Sequence, residues 1–191
     1  EKYFLKAHAG EKIVTPVSSS TLVKDIADAY NGEIVWTKVG SVTVSQTMKK
    51  LEAKLGGEEN GGIFYGPHQS VRDGAQATPL IIDIMAKTGK KLSKLLGELP
   101  KYFIEKGKID CPEKLKERVL EKLVEQVKGL NTNTTDGAKI WFEDKSAILI
   151  RPSGTEPVYR LYAEAKNKEK ALKLVKEYSL KLKKIIESLK S

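Results

Sequence analysis

Lys12-Ile13-Val14-Thr15-Pro16-Val17-Ser18-Ser19-Ser20 is a short β-branched run that breaks into three consecutive hydroxyls. Val, Ile and Thr suit a pleated strand, and a serine at the end of such a run is a good cap for a following helix. Leu22, Val23, Ile26, Ala27 and Tyr30 then recur at helical spacing until Gly32 stops the pattern. Glu33 to Thr37 reads as a second strand, and a helix around Thr43 to Leu55 is expected to end at Gly56-Gly57. Strand, helix, strand, helix is the order of a small layered α/β domain, whose loops gather at strand ends where such folds place ligands.

Downstream, Gly56-Gly57-Glu58-Glu59-Asn60-Gly61-Gly62 sets four glycines around three polar residues, which predicts a tight, exposed loop. A short strand, Ile63 to Tyr65, and a helix from about Gly74 to Thr88 follow, and Gly97 to Lys106 reads as the exit from the first unit. A second unit begins near Leu99 with a strand. Pro112 then opens a helix carrying Leu115, Val119, Leu123 and Val127, which Gly129 ends. Asn131 to Gly137 is a polar turn, Ala138 to Phe142 and Ala147 to Ile150 form a hairpin around Glu143 to Ser146, and Val158 to Ala165 is a strand. The last segment is a long amphipathic helix bearing Leu172, Val175, Leu182, Ile185, Ile186 and Leu189. The expected architecture is an α/β layered domain over residues 1–98 followed by an α+β domain over residues 99–191, with a mixed sheet packed by helices.

At 191 residues the chain can bury one good core or two small ones. Its formal net charge of +9 raises the question of nucleic acid. Much of the excess, however, lies between Lys166 and Lys190, interleaved with Glu169, Glu177 and Glu187 as on a solvated helix face, and no RNP, zinc-finger or basic-zipper pattern accompanies it. No nucleic-acid partner is expected. No apolar run approaches the roughly 18–20 residues of a membrane span, and Glu1 to Lys6 has no signal-peptide pattern, so neither a membrane partner nor export is expected and the setting reads as cytoplasmic. Asn133-Thr134-Thr135 matches a glycosylation sequon with no other sign of secretion. Cys111, the single cysteine, stands before Pro112 at a helix start and is assigned packing rather than chemistry.

The residues richest in chemistry are Arg151-Pro152-Ser153-Gly154-Thr155-Glu156-Pro157-Val158-Tyr159-Arg160, between two strands. Two guanidiniums, two hydroxyls and a glycine-centred turn can converge on an anion, with Arg151 and Arg160 as bidentate clamps and Ser153 and Thr155 as neutral donors. The residues alone equally allow a capped turn with Arg160 in a surface ion pair. Ser153 is a poor nucleophile candidate, since the chain offers only His8 and His68 as bases and neither is near in sequence.

This segment resembles the phosphate-binding signature of the α-D-phosphohexomutases, the phosphoglucomutase and phosphomannomutase family, written R-x-S-G/N-T-E-P with a nearby arginine. The resemblance implies that Arg151, Ser153, Gly154, Thr155 and Arg160 hold the phosphate that is not being transferred. Gly57-Glu58-Glu59-Asn60-Gly61-Gly62 is similar to the family's sugar-binding G-E-x-S-G-H loop, with Asn60 in place of serine and Gly62 in place of histidine. Glu58 would accept hydrogen bonds from sugar hydroxyls, and Asn60, which can donate and accept, would assist. Thr37-Lys38-Val39-Gly40 resembles the family's T-x-V-G segment and makes Lys38 a candidate contact. Arg72-Asp73-Gly74 resembles the stretch after the sugar loop, where Asp73 is expected to start a helix.

The resemblance covers most of the family's third domain and all of its fourth. The residues present include no T-A-S-H-N-P-like serine loop and no D-G-D-G-D-R-like magnesium cluster. It therefore implies a C-terminal portion of an intramolecular phosphotransferase, a phosphoprotein isomerase of carbohydrate metabolism, that interconverts hexose 1-phosphate and hexose 6-phosphate. Its implied partners are hexose phosphates and N-terminal catalytic domains not contained in this sequence. Mg2+ is expected for the full-length enzyme but not bound by this portion, which carries no catalytic residue and is expected to be inactive alone. A phosphoglucosamine mutase and a non-catalytic phosphosugar-binding module are the alternative readings.

Overall fold

The computed structural model describes residues 1–190, and the chain divides into two compact units, Glu1–Lys101 and a second from Tyr102 onward. The first unit is arranged around β1 (Lys12–Pro16), where adjacent Ile13 and Val14 are both buried. Consecutive buried residues on a strand point to opposite faces, so both faces must be covered. Ile13 packs with Leu5, Ile26 and Ala27, carried by α1 (Lys2–Ala7) and α2 (Thr21–Ala29). Val14 packs with Val44 and Met48 of α3 (Ser41–Leu51) and with Phe64. The result is a helix, sheet, helix sandwich.

On one side β1 pairs in parallel with β2 (Glu33–Thr37), and on the other with β3 (Leu55–Gly57). Two antiparallel strands, β4 (Ile63–Tyr65) and β5 (Gln69–Arg72), extend the sheet to the order β2-β1-β3-β4-β5. Because the chain winds from β1 out to β2 and then returns across β1 to β3, the winding reverses between β1 and β3. That is the switch point at which open α/β sheets form a crevice. The helices α4 (Gly74–Thr88) and α5 (Leu92–Gly97) complete the unit.

Two sequence expectations are corrected here. The third helix stops at Leu51, with Glu52 in the left-handed region at φ 51° and Ala53 N–H donating to Met48 O, and Leu55–Gly57 is a strand instead of a helix end and loop. Gly56 is in the sheet because there is no room for more. A Cβ there would lie 2.6 Å from Met48 Sδ and 3.0 Å from Val14 O. The polar residues 69–72 form β5, hidden from a hydrophobicity reading because Gln69, Val71 and Arg72 are exposed on an edge strand.

The second unit is an antiparallel sheet of order β6-β10-β9-β8-β7, made by β6 (Phe103–Asp110), β7 (Thr132–Asn133), β8 (Ala138–Trp141), β9 (Ala147–Pro152) and β10 (Val158–Ala165). Along β10, Tyr159, Leu161 and Ala163 alternate onto the core face with Ile148 and Ile150 of β9. There they meet Val119 and Leu123 of α6 (Lys116–Gln126) and Leu174, Tyr178, Leu182, Ile185 and Ile186 of α7 (Lys168–Ser188). Cys111 is buried in this core, where burial pushes its thiol pKa up, in keeping with a packing role. Thr132–Asn133 of the expected polar turn is a short edge strand against β8. The first sheet is mixed and the second antiparallel, and helices pack both.

Gly137 fixes the approach of the 131–137 segment to β9. Its φ is +88°, and a Cβ would stand 2.3 Å from Ile150 O and 2.8 Å from Arg151 Cα. Gly137→Ala combines left-handed strain with a backbone clash and is expected to cost about 1–3 kcal/mol or more. A urea midpoint equal to that of the unsubstituted chain would contradict this packing.

Candidate functional site

The first candidate patch lies at the carboxyl ends of the parallel strands. β2 runs into Lys38, β1 into Ser18-Ser19-Ser20 and β3 into Glu58, so the parallel register alone gathers these segments at one edge of the sheet. Side chains fasten them together. Thr15 Oγ1 donates to Gly57 O at 2.8 Å and lies 2.6 Å from Ser19 Oγ, while Ser18 Oγ donates to Glu59 Oε2 at 2.7 Å. Ser20 caps α2 by accepting from Leu22 N–H at 3.1 Å, as the hydroxyl run predicted.

Glu58–Gly62 closes as a hairpin between β3 and β4. Glu58 N–H donates to Gly62 O at 2.9 Å and Gly61 N–H to Glu58 O at 3.1 Å, with Gly61 at φ +91°. Asn60 is exposed, but its Oδ1 accepts from Gly62 N–H at 3.2 Å. One lone pair of its oxygen thus serves the loop, and its NH2 and second lone pair are left for a ligand. The Glu58 side chain is only 5% exposed, its Oε2 accepts no hydrogen bond among the described residues, and Arg72 Nη1 stands 3.5 Å away. Burial pushes the Glu58 carboxyl above its ordinary pKa, Arg72 pulls it back, and Glu59 adds a further upward push. Lys38 is exposed at the end of β2. Asp73 caps α4 through Gln76 N–H at 3.0 Å, and its second oxygen meets Gln69 Nε2 at 2.9 Å and His68 Nε2 at 3.2 Å, which together hold its pKa down.

The second patch is the 151–160 segment. Arg151 and Arg160 are direct cross-strand partners, on the face turned away from the Tyr159–Leu161 core. Arg151 is largely buried and pairs with Asp136 Oδ2 at 3.0 Å through Nη2, while its Nε–H is buried without an acceptor among the described residues. It lines a cleft of about 780 Å³ together with Ser153, Gly154, Lys116, Lys114 and Asp136. Ser153 is buried, and Gly154 and Thr155 are exposed at the tip of the turn. Thr155 N–H reaches Ser153 Oγ at 3.5 Å. Arg160 is placed differently. Its Nη2 contacts Glu156 Oε2 at 2.6 Å, Lys108 holds the other Glu156 oxygen at 2.7 Å, and together these residues border a separate 280 Å³ hollow with Tyr162. The strands bring the two arginines side by side, but they open onto different hollows.

Lys116 is the residue that sequence reasoning missed. Its side chain is 8% exposed, and its three N–H donors have three partners: Ser153 O at 2.6 Å, Glu156 O at 2.8 Å and Glu113 Oε2 at 2.7 Å. The ammonium thereby draws the carbonyls of the 153–156 turn toward itself from beneath. Tyr159 OH donates to Lys116 O at 2.6 Å and anchors the helix start to the sheet. Among so many lysines, the one available signal was helical phase. Lys116 falls in register with Val119, Leu123 and Val127, on the apolar stripe of α6.

Comparison with known proteins follows this division of the chain. Residues 1–103 match the sequence profile described as phosphoglucomutase/phosphomannomutase, alpha/beta/alpha domain III, and residues 108–181 that of the phosphoglucomutase/phosphomannomutase C-terminal domain. A phosphoglucosamine/phosphogalactosamine mutase of Sulfurisphaera tokodaii is 42% identical over 180 residues, covering 93% of this chain and 38% of that protein. A phosphoglucomutase/phosphomannomutase of Thermococcus kodakarensis is 41% identical over 169 residues, covering 87% of this chain and 37% of the relative. Among solved structures, a phosphoglucomutase/phosphomannomutase family protein of Burkholderia thailandensis superposes with a TM-score of 0.82 at 22% identity, over 96% of this chain and 40% of that one, a likeness of fold. The chain thus spans well under half the length of the relatives it matches, over their third and C-terminal domains. It belongs to the phosphoglucomutase/phosphomannomutase family.

Proposed function

We propose that this chain supplies the sugar-reading and phosphate-holding parts of a phosphohexomutase that interconverts hexose 1-phosphate and hexose 6-phosphate. The observation that carries the reading is Arg151, a largely buried guanidinium with an unused Nε–H beside a glycine-centred turn whose carbonyls are held away on Lys116. Such a group is short of an acceptor, and a phosphate oxygen is the acceptor that fits its planar fork. In the proposed reaction the sugar must be accepted in two orientations. Glu58 and the Asn60 amide would read ring hydroxyls that remain after the sugar turns, with Lys38 at the rim, while Arg151, Ser153, Gly154 and Thr155 would hold whichever phosphate is distal. Arg160 enters this reading once it exchanges Glu156 for the ligand. These groups position the substrate and stabilise charge, which is most of the work in phosphoryl transfer.

The family also implies Mg2+ and a phosphoserine. Among the described residues no group of three or more His, Cys, Asp or Glu stands together to hold such an ion. Both belong, in this proposal, to the remainder of a longer protein in a cytoplasmic setting. The hexosamine phosphates are a second substrate reading, favoured by the Sulfurisphaera relative. Comparing hexose and hexosamine phosphates on the complete enzyme separates the two.

Titration calorimetry with glucose 6-phosphate and glucosamine 6-phosphate tests the site. Arg151→Met is expected to lower affinity by about 10–100-fold, the loss of a charged hydrogen-bonding group of about 1.5–3 kcal/mol. Unaltered binding by this variant would overturn the assignment. Lys116→Met leaves two turn carbonyls without their donor. It is expected to cost about 1–3 kcal/mol of stability and to weaken phosphosugar binding, and Lys116→Arg is expected to recover part of both. A loss of stability with affinity unchanged would separate Lys116 from the site. The purified 191-residue chain is expected to turn over no glucose 1-phosphate, and turnover free of contaminating enzyme would contradict the division of labour.

A further inference from the structure

Gly62 leaves a gap in the sugar loop that another residue fills. A Cβ at Gly62 would stand 2.4 Å from Arg72 Cδ, 3.0 Å from Arg72 Cγ and 3.0 Å from Glu58 Oε2. The glycine leaves room for the arginine stem and relieves no backbone strain, since its φ lies outside the left-handed region. The arginine reaches the gap from the neighbouring strand, where β5 pairs Arg72 with Phe64 of β4. From there its guanidinium comes within 3.5 Å of Glu58, whose side chain is 5% exposed against 49% for Arg72. At that distance Arg72 acts as a neighbouring charge more than as a hydrogen-bond donor. Glu58 Oε2 is left buried beside a cation, with its lone pairs unspent.

We propose that Arg72, reaching through the space left by Gly62, is a positioning residue of the sugar site: its charge keeps Glu58 an anionic acceptor while leaving Oε2 to a sugar hydroxyl. The proposal rests on the reading of Glu58 as the sugar acceptor. An exposed ion pair of this length would contribute little, but one partner here is out of water, where the neighbouring charge decides whether the carboxyl is ionised. The charged groups acting on Glu58 are Arg72, which favours the anion, and Glu59, which opposes it and is tied to Ser18. With Arg72 removed, burial and Glu59 both push upward, so Glu58 must titrate at higher pH. A protonated Glu58 would become a donor on one oxygen and lose acceptor capacity for the sugar.

The test is a carboxyl 13C NMR titration of the ligand-free chain, with the Glu58 signal identified by its loss in Glu58→Gln. Arg72→Met is expected to raise the Glu58 midpoint by about one pH unit, and Arg72→Lys to restore most of the original value. Gly62→Ala, which displaces the arginine stem, is expected to raise the midpoint as well. The double variant should match Arg72→Met alone, because both changes act through one guanidinium. A midpoint unmoved by Arg72→Met, or shifts that add in full, overturns the coupling. Binding of glucose 6-phosphate to Glu58→Gln tests the underlying reading separately. Affinity equal to that of the unsubstituted chain overturns the sugar role of Glu58, and with it the role given to Arg72, even where the titration shift is seen.

Discussion

A chain that leaves the end of a sheet carries backbone groups that the sheet no longer satisfies, and where that end is partly buried, side chains must do so. Both candidate sites are built on this constraint. In the first unit Thr15 holds the Gly57 carbonyl with Ser19 alongside, which fixes the point at which β3 turns into the Glu58 hairpin. In the second, Lys116 spends its ammonium on two carbonyls of the turn after Arg151. Beside the polar residues that bind the backbone stand polar atoms without a partner. Glu58 Oε2 and Arg151 Nε are two such atoms, buried and without a hydrogen-bond partner among the described residues.

The architecture was largely legible because it follows from periodicity. The β-branched run from Lys12 announced a strand, the Ser18–Ser20 run a capped helix, and the apolar spacing along α6 and α7 two amphipathic helices, while the covering of β1 on both faces came from the structure. What failed was local. Gly56 and Gly57 read as a helix stop and loop because the place of Gly56 in β3 depends on the close approach of Met48 and Val14, which no local pattern announces. β5 was invisible because an edge strand with exposed side chains has no hydrophobic alternation to display.

The sites were legible to the extent that motifs carried them. Glu58 and Arg151 stand in environments suited to the roles the resemblance implied. The sequence did not show that the Asn60 carbonyl accepts within its own loop, that Arg160 is held by Glu156, that Lys116 holds carbonyls of the 153–156 turn, or that Arg72 stands beside Glu58. Each of these depends on contacts between segments distant in sequence or on which of two available partners a side chain takes. The net charge of +9 divides accordingly, between lysines on solvated helix faces and a few cations committed to particular loops.

The central claim is that the Glu58 hairpin and the Arg151 turn are the sugar-phosphate-binding surfaces of this chain. An amide chemical-shift map recorded while glucose 6-phosphate is titrated into the 191-residue chain tests it most directly. The account predicts saturable shifts concentrated at Glu58–Gly62 and at Ser153–Thr155, with the second group lost in Arg151→Met. Shifts confined to other parts of the chain, or shifts at Ser153–Thr155 that persist in that variant, would contradict it.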